Sequence, residues 1–71
     1  MNAVAETVAS AHLAAAAGYN LDLAALAKVI DSHRAAGVAC PVLDLTYAKM
    51  RAERDQHIRD AHACRAVCEA A

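Results

Sequence analysis

Three side chains near the carboxyl terminus come closest to forming a metal site in this chain of 71 residues. His57, Cys64 and Cys68 are spaced to share one face of a helix, with Asp60 nearby. Two thiolates and an imidazole could supply three zinc ligands. The sequence has no CxxC knuckle, however, and structural zinc sites usually combine ligands from a loop and a helix. We therefore predict no metal and no other cofactor, and we interpret the two cysteines as packing residues.

The sequence contains residue types that can serve in catalysis, but no arrangement of them that indicates an active site. Cys40 with His33, and Cys64 with Asp60, offer a thiol near a base or a carboxylate. A few packed helices provide no deep pocket to exclude water or to hold an oxyanion, and both glycines are expected at helix ends. We therefore predict that the protein is not an enzyme and has no catalytic or cofactor-binding residues.

Net charge, cysteine content and the first residues restrict the classes of partner and the cellular compartment that we expect. The net charge of −1 gives no general electrostatic attraction to nucleic acid or to anionic membranes. Three cysteines, an odd number, are typical of reduced thiols in the cytosol rather than of a secreted disulfide framework. The first six residues contain no Lys or Arg, and no run of some 18 apolar residues follows. The sequence predicts a cytoplasmic protein with no membrane partner.

A helix-turn-helix DNA-binding regulator is the alternative function. The segments 14–20 and 33–39 both place glycine where that motif turns. The helix after each turn would present mostly Leu, Ala and Asp to DNA, and none of the Arg, Lys, Asn or Gln that read base edges. Nucleic acid is therefore the less favoured partner.

The elements themselves are predicted to be all helical, in a single domain over residues 1–71. Alanine, the strongest helix former, fills 21 positions, and Phe and Trp are absent. Gly18, Gly37 and Pro41 divide the chain into three helices over about 2–17, 21–36 and 41–69. The short link between the first two predicts an antiparallel hairpin followed by one long helix.

The unequal helix lengths predict a homodimer. The third helix would be about 45 Å long and the first two about 23 Å each, so the hairpin would cover only half of it. Its apolar stripe continues to the carboxyl terminus, and we expect the uncovered half to pack against a second copy in a helical bundle. The predicted oligomer interface consists of Met50, Arg54, His57, Ile58, Ala61, Cys64 and Cys68.

The remaining expectation is that the protein acts by binding another protein, a host or cognate protein. Short helical chains without a pocket act mainly through their surfaces, as do many inhibitors of host machines from phages and mobile elements, including anti-CRISPR-type proteins. The four histidines show no spacing that brings them together, and each is interpreted as a boundary residue. The predicted partner-binding residues are Arg51, Asp55, Arg59 and His62.

Overall fold

The computed structural model describes the backbone of residues 3–70 and the side chains of residues 3–67. The chain folds into two helices, α1 (Ala3–Ala35) and α2 (Pro41–Ala70), and no strand occurs in this part. The all-α prediction is confirmed. The two helices run antiparallel: Glu6 near the start of α1 pairs with Arg65, whereas Arg34 near its end pairs with Asp44.

The predicted count of three helices is wrong, because Gly18 does not end a helix. It lies inside α1, and Gly37 is the only glycine of the described chain with a positive φ. A glycine inside a helix costs only about 1 kcal/mol relative to alanine, and the flanking alanines favour continuation. Asn20 also lies inside α1, where it accepts a hydrogen bond from Arg54 Nη1 at 3.0 Å. The hairpin expected between residues 17 and 21 is therefore absent.

The chain reverses direction once, after α1. Gly37 has a φ of 73°, and its N–H donates to the Arg34 carbonyl at 3.0 Å. The Val38 N–H donates to the His33 carbonyl at 2.8 Å. This pair of bonds around a left-handed glycine is a Schellman motif, which satisfies carbonyls that the helix end leaves open. The end of α1 is thus encoded by Gly37.

The second helix begins at Pro41, the residue at which the sequence places the start of its last helix. Proline suits this position because the first turn has no use for its missing N–H. The Cys40 carbonyl accepts the N–H groups of Leu43 and Asp44, at 3.1 and 3.3 Å. Asp44 also places a carboxylate at the positive end of the helix dipole.

The seam between the helices follows a spacing of seven residues. The buried residues of α1 are Ala9, Ala16, Leu23 and Ile30. Opposite them, α2 contributes the buried Ala61 and a half-buried series, again seven apart, of Leu43, Met50, His57 and Cys64. A repeat of seven is the spacing of helices that wind around one another in a left-handed sense.

The helices cover one another along most of their lengths. They have 33 and 30 residues, and the molecule measures 54 × 15 × 12 Å. The length mismatch that led us to expect a dimer therefore does not exist within the described chain. The core is nonetheless thin, because the described residues include no large side chain that is fully buried.

Candidate interaction surfaces

A polar cluster occupies the middle of the seam. The Nδ1 atoms of His12 and His57 are 2.8 Å apart, and the two ring centroids are 5.1 Å apart. Tyr19 lies seven residues after His12 on α1, and its ring centroid is 5.8 Å from that of His57. The expectation that no two histidines converge is therefore wrong for this pair, because α1 continues through Gly18 and places His12 opposite α2.

Tyr19 connects this cluster to a carboxylate. Its hydroxyl donates a hydrogen bond to Glu53, which lies one helical turn before His57 on α2. This bond raises the pKa of Tyr19 because losing the proton would place a phenolate beside a carboxylate. Burial and the negative charges of Glu53 and Asp22 act in the same direction. Sequence analysis missed Tyr19 and Glu53, although positions 12 and 19 already show the spacing of seven.

Arg54 is the charged residue that interrupts the apolar stripe of α2. Its guanidinium donates to Asp55 Oδ1 at 3.0 and 3.1 Å and to Asn20 Oδ1 at 3.0 Å. The side chain is three-quarters buried and spans the seam edge. Its polar groups are therefore satisfied within one chain.

The residues predicted to form the oligomer interface lie mostly along this seam. Met50, Arg54, His57 and Cys64 are half-buried and Ala61 is fully buried, in the helix face that α1 covers, whereas Ile58 is half-buried on the flank. The side chain of Cys68 lies outside the described residues. A dimer through this face would require the two helices to separate, and the assignment stays a prediction.

The predicted partner-binding residues lie on the outward flank of α2. Arg51, Arg59 and His62 are exposed, whereas Asp55 is half-buried beside Arg54. Arg59 donates to Gln56 at 2.9 Å, and within the described side chains neither Arg51 nor His62 forms an ion pair. We call Arg51, Asp55, Arg59 and His62 the outer α2 face.

The outward side of α1 has the opposite character. Residues 7–21 contain no Asp, Glu, Lys or Arg, and the side chains that point away from α2 are small or apolar. Leu21 is 76% exposed and Val4 is 73% exposed. The outer α1 face, as defined here, consists of Val4, Thr7, Ala11, Ala14, Gly18 and Leu21, all of which are exposed.

Two open depressions lie near the turn. The larger, about 390 Å³, is lined by residues from both helices, including Tyr47 and the ion pair Arg34–Asp44 at 3.5 Å. The smaller, about 190 Å³, lies between Ile30 and the link. No nucleophile stands beside a base in the larger one, so its lining offers polar contacts rather than a catalytic group.

The zinc set considered from sequence does not assemble among the described residues. No group of three or more His, Cys, Asp or Glu side chains there is arranged to hold a metal ion. The thiols of Cys40 and Cys64 are free and half-buried. His57 faces His12 across the seam instead of a thiol on its own helix.

The two helix-turn-helix segments also differ from their expected form. The first has no turn, because Gly18 lies inside α1. The second does contain the turn at Gly37, but the helices on either side lie against one another lengthwise. A helix-turn-helix crosses its helices at about 90–120°, so that the second helix can enter the major groove.

By length and composition alone, α1 is apolar enough to cross a membrane, with a mean hydropathy of 1.3 in its most apolar window. Only 17% of that window is buried. Core helices of soluble proteins and signal sequences pass the same test, so this property alone does not assign α1 to a membrane.

Comparisons with known proteins identify no relative. No family model, no curated protein and no solved structure matches this chain.

Proposed function

We propose that this protein is non-enzymatic and acts by binding another protein through the outer α2 face. The observation that supports this proposal is that, among the described side chains, the carboxylates of α2 are bonded within the chain, whereas two of its arginines contact no carboxylate. Asp44, Asp55 and Asp60 each accept hydrogen bonds from side chains of the same chain, and Glu53 accepts one from Tyr19.

The cations of the outer α2 face are left available by this pairing. Arg51 and Arg59 are exposed, and neither contacts a carboxylate among the described side chains. Arginine is enriched at protein interfaces, where its planar fork binds carboxylates in a bidentate manner. The partner we propose is therefore a protein with an acidic surface.

Self-association is part of the same proposal, because a hairpin with so thin a core gains stability from a second copy. Inhibition of a host machine, in the manner of anti-CRISPR-type and other phage or mobile-element proteins, stays a prediction from size and composition. The cytoplasmic location is likewise a proposal.

The test is affinity capture with matched charge reversals. Tagged protein is used to capture partners from cells that produce it, and the captured proteins are identified by mass spectrometry. The double variant Arg51→Glu/Arg59→Glu should lose a specific partner, whereas Lys49→Glu, an exposed charge reversal elsewhere on α2, should retain it. Equal capture by both variants would refute the assignment to the outer α2 face.

A mobility-shift assay with duplex DNA separates the alternative function. A DNA-binding regulator should shift DNA with a steep dependence on salt concentration, because phosphate contacts release counterions. We expect no shift at low or at high salt.

A further inference from the structure

The hairpin as a whole leaves more surface exposed than a compact chain of this size normally exposes. The accessible surface of the hairpin is 4933 Å² for a mass of 7.4 kDa. The general relation between mass and surface gives about 4,200 Å² for a compact monomer of that mass. The excess, about 700 Å², is close to the ~800 Å² that each partner buries in a standard protein interface.

We propose that a second copy of this chain covers the outer α1 face, with the two α1 helices packed antiparallel. This inference rests on the proposed self-association and assigns its surface. Side chains such as Ala11, Ala14 and Gly18 let two helix backbones approach at the short end of the usual range of about 8–10 Å. Close approach gives small side chains the contacts that they cannot make with a more distant partner.

The charges on α1 determine the direction of this pairing. The uncharged segment 7–21 is bounded by Glu6 before it and by Asp22 and then Lys28 after it. A parallel pair would align each of these charges with the same charge of the other copy, whereas an antiparallel pair separates them. Glu6 itself is paired with Arg65 of its own chain. The antiparallel arrangement also opposes the two helix dipoles favourably.

A depression at the amino-terminal end of this face supports the same arrangement. It has a volume of about 240 Å³ and is lined by Ala3, Val4, Thr7 and Val8. In an antiparallel pair that covers the outer α1 face of both copies, residues 3–8 lie opposite about residues 17–22, so that the exposed Leu21 of the other copy can cover this depression. The outer α2 face stays free in this dimer, so that partner binding and self-association use opposite sides of the hairpin.

A second copy explains this face better than a lipid bilayer does. Half of its residues are alanine or glycine, which bury little apolar area in lipid, and Asp22 follows its apolar segment directly. A bilayer as occupant is therefore one of the results that would overturn the proposal.

The experiment measures the mass of the full chain by size exclusion with light scattering. Wild type should have twice the mass of one chain, 7.4 kDa, at concentrations above the micromolar range. Ala14→Glu should have the mass of one chain, and Ala63→Glu, an exposed alanine changed in the same way on α2, should remain a dimer. Circular dichroism verifies that both variants are still helical.

The temperature of unfolding provides an independent measurement. The midpoint should rise with protein concentration for wild type and for Ala63→Glu, but not for Ala14→Glu, because only a dimer gains stability from mass action. A wild-type chain with the mass of one copy would overturn self-association altogether. A dimer that persists in Ala14→Glu would overturn only the assigned surface.

Two further outcomes distinguish a second copy from a lipid surface, and the dimer surface from the partner surface. Sedimentation of a single-copy wild type with phosphatidylcholine vesicles would replace the second copy by lipid and overturn the proposal. If Arg51→Glu/Arg59→Glu keeps the dimer mass but loses the captured partner, both proposals are supported. If it keeps both, only the proposed function fails.

Discussion

The Nδ1 atoms of His12 and His57 lie 2.8 Å apart, on different helices. At this distance one ring must donate its proton and the other must accept it. Both rings are half-buried, and Tyr19 and Glu53 are the polar groups beside them. The pair therefore tolerates one proton between the two Nδ1 atoms but not two.

The hydrogen bond between the two rings should stabilise the contact between the helices. His12→Gln should lower the free energy of unfolding by about 1 kcal/mol, the net value of one hydrogen bond, as measured by denaturant unfolding. The exposed His62→Gln should leave the free energy of unfolding unchanged, and an equal response of the two variants would contradict the role of the pair.

Tyr19 should lose its proton only above the ordinary range for tyrosine. In a Tyr47→Phe background it is the sole tyrosine, so ultraviolet absorbance can follow its titration directly. The midpoint should lie above 10.0 and move down in Glu53→Gln. Because the folded pKa is the higher one, the stabilisation is fully present below the unfolded value and is lost as the pH rises through the folded value. A midpoint that is unaffected by Glu53→Gln would show that the hydrogen bond is not formed.

The two glycines should respond to alanine in opposite directions. A Cβ at Gly18 would meet nothing within 4 Å, and this residue lies in a helix, so Gly18→Ala should stabilise the chain by about 0.5–1 kcal/mol. Gly37 has a φ of 73°, and Gly37→Ala should destabilise the chain by about 1–2 kcal/mol. Denaturant unfolding in an Ala14→Glu background measures both without self-association. Destabilisation by Gly18→Ala would place a helix end at that residue after all.

The seam should depend strongly on its largest aliphatic side chains. Leu23 is 4% exposed and packs in the middle of α1, whereas Leu45 is 72% exposed near the start of α2. Leu23→Ala should cost about 2–5 kcal/mol, the usual range for a buried leucine. In a core this thin, such a loss should unfold the chain at room temperature, as measured by circular dichroism. Leu45→Ala should have little effect, and similar losses in both variants would contradict the observed seam.

The sequence correctly predicts the helical class and the boundary at Gly37 and Pro41, because both residues act locally. It fails at Gly18, because glycine can either end a helix or lie inside one. Which of the two occurs depends on the residues that pack nearby. The long α1 is favoured because Leu23 and Ile30 continue the buried series that begins at Ala9. That spacing of seven is visible in the sequence, but it can be interpreted as one continuous helix face only when the helix that packs against it is known.

The apolar stripe of α2 lies along the seam with α1, and the homodimer interface that the sequence places on this stripe stays a prediction. Met50, His57 and Ala61 are covered by α1 of the same chain, because α1 is twice as long as expected. The convergence of His12 with His57 could not be foreseen while a turn was assigned to Gly18. A single misplaced helix end therefore hid the polar cluster of the seam.

The turn at residues 36–40 also limits what the chain can become. Pro41 keeps Cys40 out of the helical region, and Gly37 is held in a left-handed conformation. Some helical hairpins exchange helices between molecules by domain swapping. In that arrangement the link becomes helical and the two helices join into one continuous helix. The turn of this chain disfavours such an exchange. Copies of this protein should associate as folded hairpins through their sides and should dissociate without unfolding.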